Sequence, residues 1–289
     1  MIAHNRFFRL AILFLLPFLG LAGADPGTPP SQARALASVK LLTVGNSFAD
    51  NALRYLPGLA KGGGKQLVVL SANLGGHSLK QHVGYIEAFE ANPEDPKGRP
   101  YGAKVDPVTK QKTGGKSLRE ALESQDWDVV TIQQVSGESF KQESFQPYAN
   151  TLIDYIRKYA PHAKILLYET WAYPDDYFPK FRAPNLDQKS MYSGIKAAYM
   201  KLSEETSLPI IPVGEAFQAV RALPGAPSLN VAGDKHANIG GSYLAGATFY
   251  EMIFGENVEG NSYVPDGISA DEAKILRHAA HEAVAPHKP

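Results

Sequence analysis

The sequence predicts an α/β fold, a three-layer α/β/α sandwich around a mostly parallel sheet of about five strands. Short, nearly unbroken apolar runs recur at 39–44, 67–72, 129–133, 165–169 and 210–213, as expected of strands buried on both faces. The segments between them carry apolar residues at helical spacing, so strand and helix alternate along the chain.

Taken in order, the chain begins with an expected address. Arg6 and Arg9 precede an apolar run from Leu10 to Leu21, and Ala22-Gly23-Ala24 fits the small-residue cleavage rule. A signal peptide over 1–24, cleaved after Ala24, and a flexible leader over 25–37 are expected, with the mature protein exported to the periplasm or beyond. The apolar run is short for a permanent span, so no stable membrane insertion is expected after cleavage. Residues 38–289 read as one domain. Between the second and third strands, residues 92–116 are rich in Pro, Gly and Lys and lack an apolar period, which predicts an inserted loop.

Three helices are legible from their faces. Tyr148, Leu152, Tyr155 and Tyr159 share one face before Pro161; Met191, Ile195, Ala198 and Leu202 share another. Tyr243, Ala247, Tyr250 and Phe254 repeat the pattern before Gly255. These stripes read as core. Residues 269–284 read as a solvated capping helix whose neighbouring histidines, His278, His281 and His287, lack a carboxylate partner at local helical spacing.

Composition removes several function classes. Lys plus Arg equals Asp plus Glu at 29 each, so no basic field would recruit nucleic acid or an anionic membrane; the expected partner is small and neutral. The chain has no cysteine, which excludes a disulfide framework, a thiol nucleophile and a lipid-modified cysteine. Gly114-Gly115-Lys116-Ser117 resembles the end of a phosphate loop, but Lys110 stands where the earlier glycine is required. His77 and His82 read as surface or pocket-wall residues, and no metal or cofactor is expected.

Parallel sheets place ligands beyond the carboxyl ends of their strands. The residues there are Gly45-Asn46-Ser47, then Asn73-Leu74-Gly75-Gly76-His77, then Gln133-Gln134-Val135-Ser136-Gly137, and finally Gly233-Asp234-Lys235-His236. Acyl transfer needs a nucleophile, a base, an anion that orients the base, and donors for the oxyanion. Ser47 supplies a hydroxyl, His236 a base, and Gly75 or Gly76 a bare backbone N–H. Alone, Ser47 would read as a helix-start residue and His236 as structural. Trp171 and Tyr173, after the fourth strand, are candidates for lining a cleft or for core packing; Glu169 is a further candidate acid outside the mechanism.

These blocks resemble the SGNH, or GDSL-like, hydrolase superfamily over about residues 39–255. More narrowly, "TVGNSFADNALRYLPGLA", "ANLGGHSL", "WDVVTIQQVSGESF", "YETWAY" and "DKHANIGGSYLAGATFYEMIFG" resemble a bacterial subgroup with G-N-S where the superfamily has G-D-S. The resemblance implies a flavodoxin-like sheet, with Ser47 as nucleophile and backbone oxyanion donor, Gly75-Gly76 as the second block and His236 as base. Two departures stand out. The superfamily aspartate lies three residues before the histidine, where this chain has Gly233; Asp234 stands two before. The third-block asparagine is also missing, leaving Gln134 as first choice of oxyanion donor, with Gln133 or Ser136 as the other candidates. Asn46, Gln133, Ser136, Trp171 and Tyr173 are the expected substrate-binding residues.

The resulting expectation is an exported serine esterase that deacylates O-acylated, foremost O-acetylated, carbohydrate. A lipase or thioesterase of the same superfamily is one alternative, and a non-catalytic glycan-binding protein is the other.

Overall fold

The computed structural model describes Met1 and residues 36–105, 112–181, 183 and 185–288. Apart from Met1, the expected signal peptide lies outside the described residues, as does the leader up to residue 35. The elements run β1 (Ser38–Gly45), α1 (Ser47–Leu53), α2 (Leu56–Gly62), β2 (Gln66–Asn73), α3 (Leu79–Ala91), β3 (Lys104–Val105), β4 (Lys112–Thr113), α4 (Leu118–Leu122) and β5 (Val129–Ile132). Then follow α5 (Tyr148–Tyr159), β6 (Lys164–Glu169), α6 (Phe178–Phe181), α7 (Gln188–Thr206), β7 (Ile210–Pro212), α8 (Val213–Arg221), α9 (Ile239–Phe254) and α10 (Ala270–Val284).

Five strands form one parallel sheet in the order β2-β1-β5-β6-β7. Counting only these strands, the order is that of a flavodoxin-like doubly wound sheet, whose direction of winding reverses beside β1. The reversal leaves a crevice at the carboxyl ends of β1 and β5, where Ser47 and the Gln133–Gly137 segment emerge. Helices α1, α2, α8, α9 and α10 pack together on one side, while α3, α4, α5 and α7 form the other layer. This is the SGNH hydrolase fold. Among the described residues, no helix is long and apolar enough to cross a membrane.

Burial explains why the central runs read clearly. Every residue of β5 is buried, and β1 is buried from Leu41 to Gly45, because helices cover both faces. Strand β2 differs: it is an edge strand, only Ala72 in it is buried, and Val68 is exposed. Its apolar run resembles a central strand because composition does not report how many neighbours a strand has.

The helix faces shift slightly from the tyrosine stripes. In α5 the buried side is Ala149, Leu152, Ile153 and Ile156, with Tyr148, Tyr155 and Tyr159 half-buried at its margin. Tyr155 donates its hydroxyl to Glu90 at 2.6 Å, the use expected of an amphipathic ring at a boundary. Helix α9 is buried on nearly every side, and its small residues permit this: a Cβ at Gly241 would stand 2.1 Å from the Leu229 carbonyl.

Helix α10 is not simply solvated. Ala273, Leu276, Ala280 and Val284 are fully buried, and the helix packs on α8 and α9. Its histidine partners come from tertiary structure: His278 meets Glu259, His281 meets Glu251, and His287 meets Glu215, at 2.8, 2.8 and 2.9 Å. The 92–116 insertion also has structure of its own. Tyr101 and Lys116 pair at its base, and β3 pairs with β4 above them.

Candidate active site

Strand β1 ends at Gly45, and Asn46 turns the chain into α1 with an extended backbone, its Oδ1 accepting the Phe48 N–H at 3.2 Å. Asparagine is among the best residues for this N-cap. Ser47 is thereby the first helical residue, where the N–H has no intrahelical acceptor. Its Oγ lies 2.9 Å from His236 Nε2, and His236 Nδ1 lies 2.8 Å from Asp234 Oδ1. A carboxylate only accepts, so Nδ1 carries the ring proton and Nε2 faces the serine with a lone pair.

The shortened spacing in the last block has a local cause. Asp234 Oδ1 also accepts the backbone N–H of His236 at 3.0 Å, the two-residue side-chain turn that aspartate favours. One oxygen therefore holds both the backbone and the ring of the residue two positions on. Gly233 makes the tight turn possible, with φ of +63°, a conformation a side chain would strain. The His236 backbone N–H is the main cause that holds the Asp234 carboxyl below its usual range; partial burial opposes it and the imidazole adds to it. The same contacts hold Asp234 in its charged form.

Several residues with no motif signal hold this turn. Asn230 donates its amide to the carbonyls of Lys235 and His236 at 3.1 and 3.4 Å, and Arg221 donates to Asn230 Oδ1 at 2.9 Å and to the Ala172 carbonyl at 3.2 Å. Asp176 accepts the Gly233 N–H at 2.8 Å. Beneath the serine, Phe217, Trp171 and Phe48 form a continuous stack with centroid spacings of 4.7 and 4.0 Å, and the His236 ring meets Phe48 edge-on.

That stack corrects the cleft reading of Trp171. The indole is fully buried, and its Nε1–H donates to the Lys235 carbonyl at 3.0 Å, so it braces the turn that carries His236 rather than lining an open cleft. Tyr173 is buried as well, with its hydroxyl 2.9 Å from Ser136 Oγ, and both are engaged below the surface. The half-buried rings of Tyr177, Phe178 and Phe181 cover Tyr173.

In the second block, Leu74 N–H donates to the Gly45 carbonyl at 3.0 Å, which carries the β1–β2 ladder past its last pair and lays the glycine turn beside Asn46. Asn46 Nδ2 donates to the His77 carbonyl at 3.2 Å, tying the first block to the second. The N–H groups of Gly75 and Gly76 have no backbone acceptor among the described residues. Behind the turn, His82 is fully buried, not a surface or pocket-wall residue. Burial pulls its pKa to about 4, and the neutral ring donates to the Gly45 carbonyl at 2.9 Å while Tyr101 contacts its other nitrogen at 2.8 Å.

In the third block the two candidate amides differ in what holds them. Gln134 is fully committed: its Nε2 donates to the Ser144 carbonyl and hydroxyl, and its Oε1 accepts from Leu79 and Val135. Those four bonds leave its amide no donor for a substrate. Gln133 accepts the Asn46 N–H through Oε1 at 3.3 Å, while its buried Nε2 lacks a partner among the described residues.

Glu169, at the end of β6, is fully buried away from this chain of bonds. Burial is the main cause that raises its pKa from 4.5 to about 8; the Glu215 carboxylate adds to the rise and Lys196 opposes it. A carboxyl whose folded-state pKa is raised weakens the fold as pH climbs from the unfolded value to the folded one. Glu169→Gln is therefore expected to leave stability near pH 4 almost unchanged and to raise it by about 2–4 kcal/mol near pH 9, read by denaturant unfolding. A variant no more stable than wild type at the higher pH would mean that Glu169 ionises freely.

Among the described residues, no group of three or more His, Asp or Glu side chains is arranged to hold a metal ion. A cavity of 390 Å³ lined by Trp127, Tyr159 and His162 lies at the amino ends of β5 and β6, the opposite end of the sheet from Ser47.

Comparison with known proteins agrees with the architecture. A DUF4886 family protein from Bacteroides uniformis is 30% identical, with a TM-score of 0.75 over 87% of this chain and 96% of its own. A candidate SGNH hydrolase from Slackia heliotrinireducens is 21% identical, with a TM-score of 0.52 over 74% of this chain and 98% of its own, a likeness of fold. No curated protein matches the chain. The family model described as a domain of unknown function, DUF4886, matches residues 40–283, and the chain belongs to that family.

Proposed function

We propose that this protein is an exported serine esterase that removes short acyl groups, foremost acetyl, from carbohydrate. The observation that carries the reading is the continuous chain from Ser47 Oγ through His236 to Asp234, at 2.9 and 2.8 Å. His236 Nε2 takes the Ser47 proton as Oγ bonds to the ester carbonyl carbon, and the imidazolium then gives that proton to the departing alcohol. Water, deprotonated by the same nitrogen, attacks the acyl-serine; the proton returns to Ser47 and the acid leaves. The oxyanion is met by the Ser47 N–H, an N–H of the glycine turn and the uncommitted amide of Gln133.

The short-acyl preference is supported by openness. The His236 and Asp234 side chains remain 35% and 46% exposed, which suits a small acyl group on a bulky alcohol better than a long chain needing an enclosed apolar channel. Export is supported by the basic and apolar pattern that ends at Ala24.

The test is hydrolysis of p-nitrophenyl acetate, butyrate and octanoate, with acetate release from an acetylated xylan, using Ser47→Ala as the blank. Turnover that depends on Ser47 and falls from acetate to octanoate is expected. Activity that rises with chain length would assign a lipase or thioesterase instead. Xylan binding by wild type and Ser47→Ala alike, without turnover, would make the protein a glycan-binding relative.

A further inference from the structure

The turn from Leu74 to His77 closes through the His77 N–H, which donates to the Leu74 carbonyl at 3.0 Å, with Gly76 at φ +72°. A left-handed third residue is the type II requirement, which glycine meets at no steric cost. The same two glycines make the turn soft. Adjacent residues without Cβ let the peptide plane between them flip, and a flip would redirect the Gly76 N–H. A donor that holds an oxyanion must already point the right way, so the plane needs an external lock.

The structure supplies one. His77 Nδ1 lies 2.9 Å from the Gly75 carbonyl, and its Nε2 lies 2.8 Å from the Tyr85 hydroxyl. A carbonyl only accepts, so Nδ1 carries the proton, Nε2 is left with a lone pair, and Tyr85 donates to it. The imidazole thus bridges the turn to α3, the helix that bears Tyr85, while the His77 carbonyl is held by Asn46 beside the nucleophile. In a trans peptide the C=O and the following N–H lie antiparallel in one plane, so fixing the Gly75 carbonyl fixes the Gly76 N–H.

We propose that His77, held by Tyr85, is a positioning residue: it locks the Gly75–Gly76 peptide so that the turn presents a fixed N–H donor to the reacting carbonyl. This rests on the esterase reading above. His77 does not touch the substrate; it acts through the glycine peptide.

The experiment compares His77→Leu, His77→Asn and Tyr85→Phe with wild type in the full-length protein, reading kcat, KM and Tm on p-nitrophenyl acetate. Loss of an oxyanion donor costs about 10²–10³ in kcat and a loosened donor costs less, so His77→Leu is expected to lower kcat about tenfold with KM within about twofold. Asparagine places an amide N–H near the position of the imidazole Nδ1, so His77→Asn is expected to recover kcat to within about threefold of wild type, and Tyr85→Phe to fall between. A His77→Leu enzyme with unchanged kcat, or a His77→Asn enzyme as slow as His77→Leu, would overturn the proposal.

A ¹⁵N–¹H spectrum separates this from the esterase reading. If wild type shows no Ser47-dependent turnover, that reading falls, and the Gly76 amide still reports the lock. A Gly76 resonance shifted or broadened in His77→Leu and restored in His77→Asn supports it; a resonance unchanged in His77→Leu refutes it.

Discussion

Replacing Ser47 by alanine is expected to lower kcat/KM for p-nitrophenyl acetate by about 10³–10⁶-fold, and His236→Ala by a similar amount. The double variant should be no slower than the worse single, because a nucleophile and its base act as one unit. The fold should survive. Ser47 is half-buried at a helix start, and His236 is the one side-chain partner of its hydroxyl among the described residues. Steady-state kinetics of the three variants, beside their unfolding curves, check both statements. Losses in the two single variants that multiply in the double would show that Ser47 and His236 act independently.

The second large effect is expected at Asp234. Asp234→Asn should lower kcat by about 10²–10³-fold, less than in a buried triad because this carboxylate is half exposed and solvent already screens it. The amide can keep the turn by accepting the His236 N–H through Oδ1, so the substitution removes the charge while sparing the backbone geometry. It also offers an N–H₂ to Nδ1, which would stabilise the tautomer whose Nε2 carries the proton and faces Ser47 with no lone pair. Asp234→Ala removes turn and charge together and should be at least as slow. If Asp234→Asn retained wild-type kcat, the carboxylate would serve the turn alone, and the base would work as a Ser–His dyad. The kinetics of both variants distinguish these cases.

Part of the candidate site was legible because its first three blocks follow directly on β1, β2 and β5, and strand ends can be read from short apolar runs; the fourth, at Gly233–His236, lies beyond α8. Ser47, Gly75 and Gly76 became candidates by that route, and the resemblance joined them to His236 and to Asp234, whose spacing it left in question. The spacing was settled by one local event, the aspartate side-chain turn onto His236 N–H, which no pattern of residue types encodes. Of the two candidate amides, Gln134 is fully hydrogen-bonded within the fold, while Gln133 keeps an unpartnered Nε2 among the described residues. Neighbouring residues on an extended segment point to opposite sides, so which of the two faces the site depends on where the strand ends. Asn230, Arg221 and Phe48 carried no signal. They reach the Gly233–His236 turn and Ser47 through contacts such as the one between Arg221 and the Ala172 carbonyl, 49 residues away in sequence.

What the sequence by itself determined is the alternation of buried strands and amphipathic helices, hence the parallel sheet, and which small and polar residues stand at its carboxyl edge. Those properties are local: apolar period, glycine at turns and capping chemistry are written in runs of a few residues. What only the tertiary structure decided is which of those residues meet, which amide is already committed, which aromatic ring is support rather than surface, and how His278, His281 and His287 find Glu259, Glu251 and Glu215. Hydrogen bonds of about 3 Å require positions set by the packing of the whole core, and that packing joins residues as far apart as Ser47 and His236.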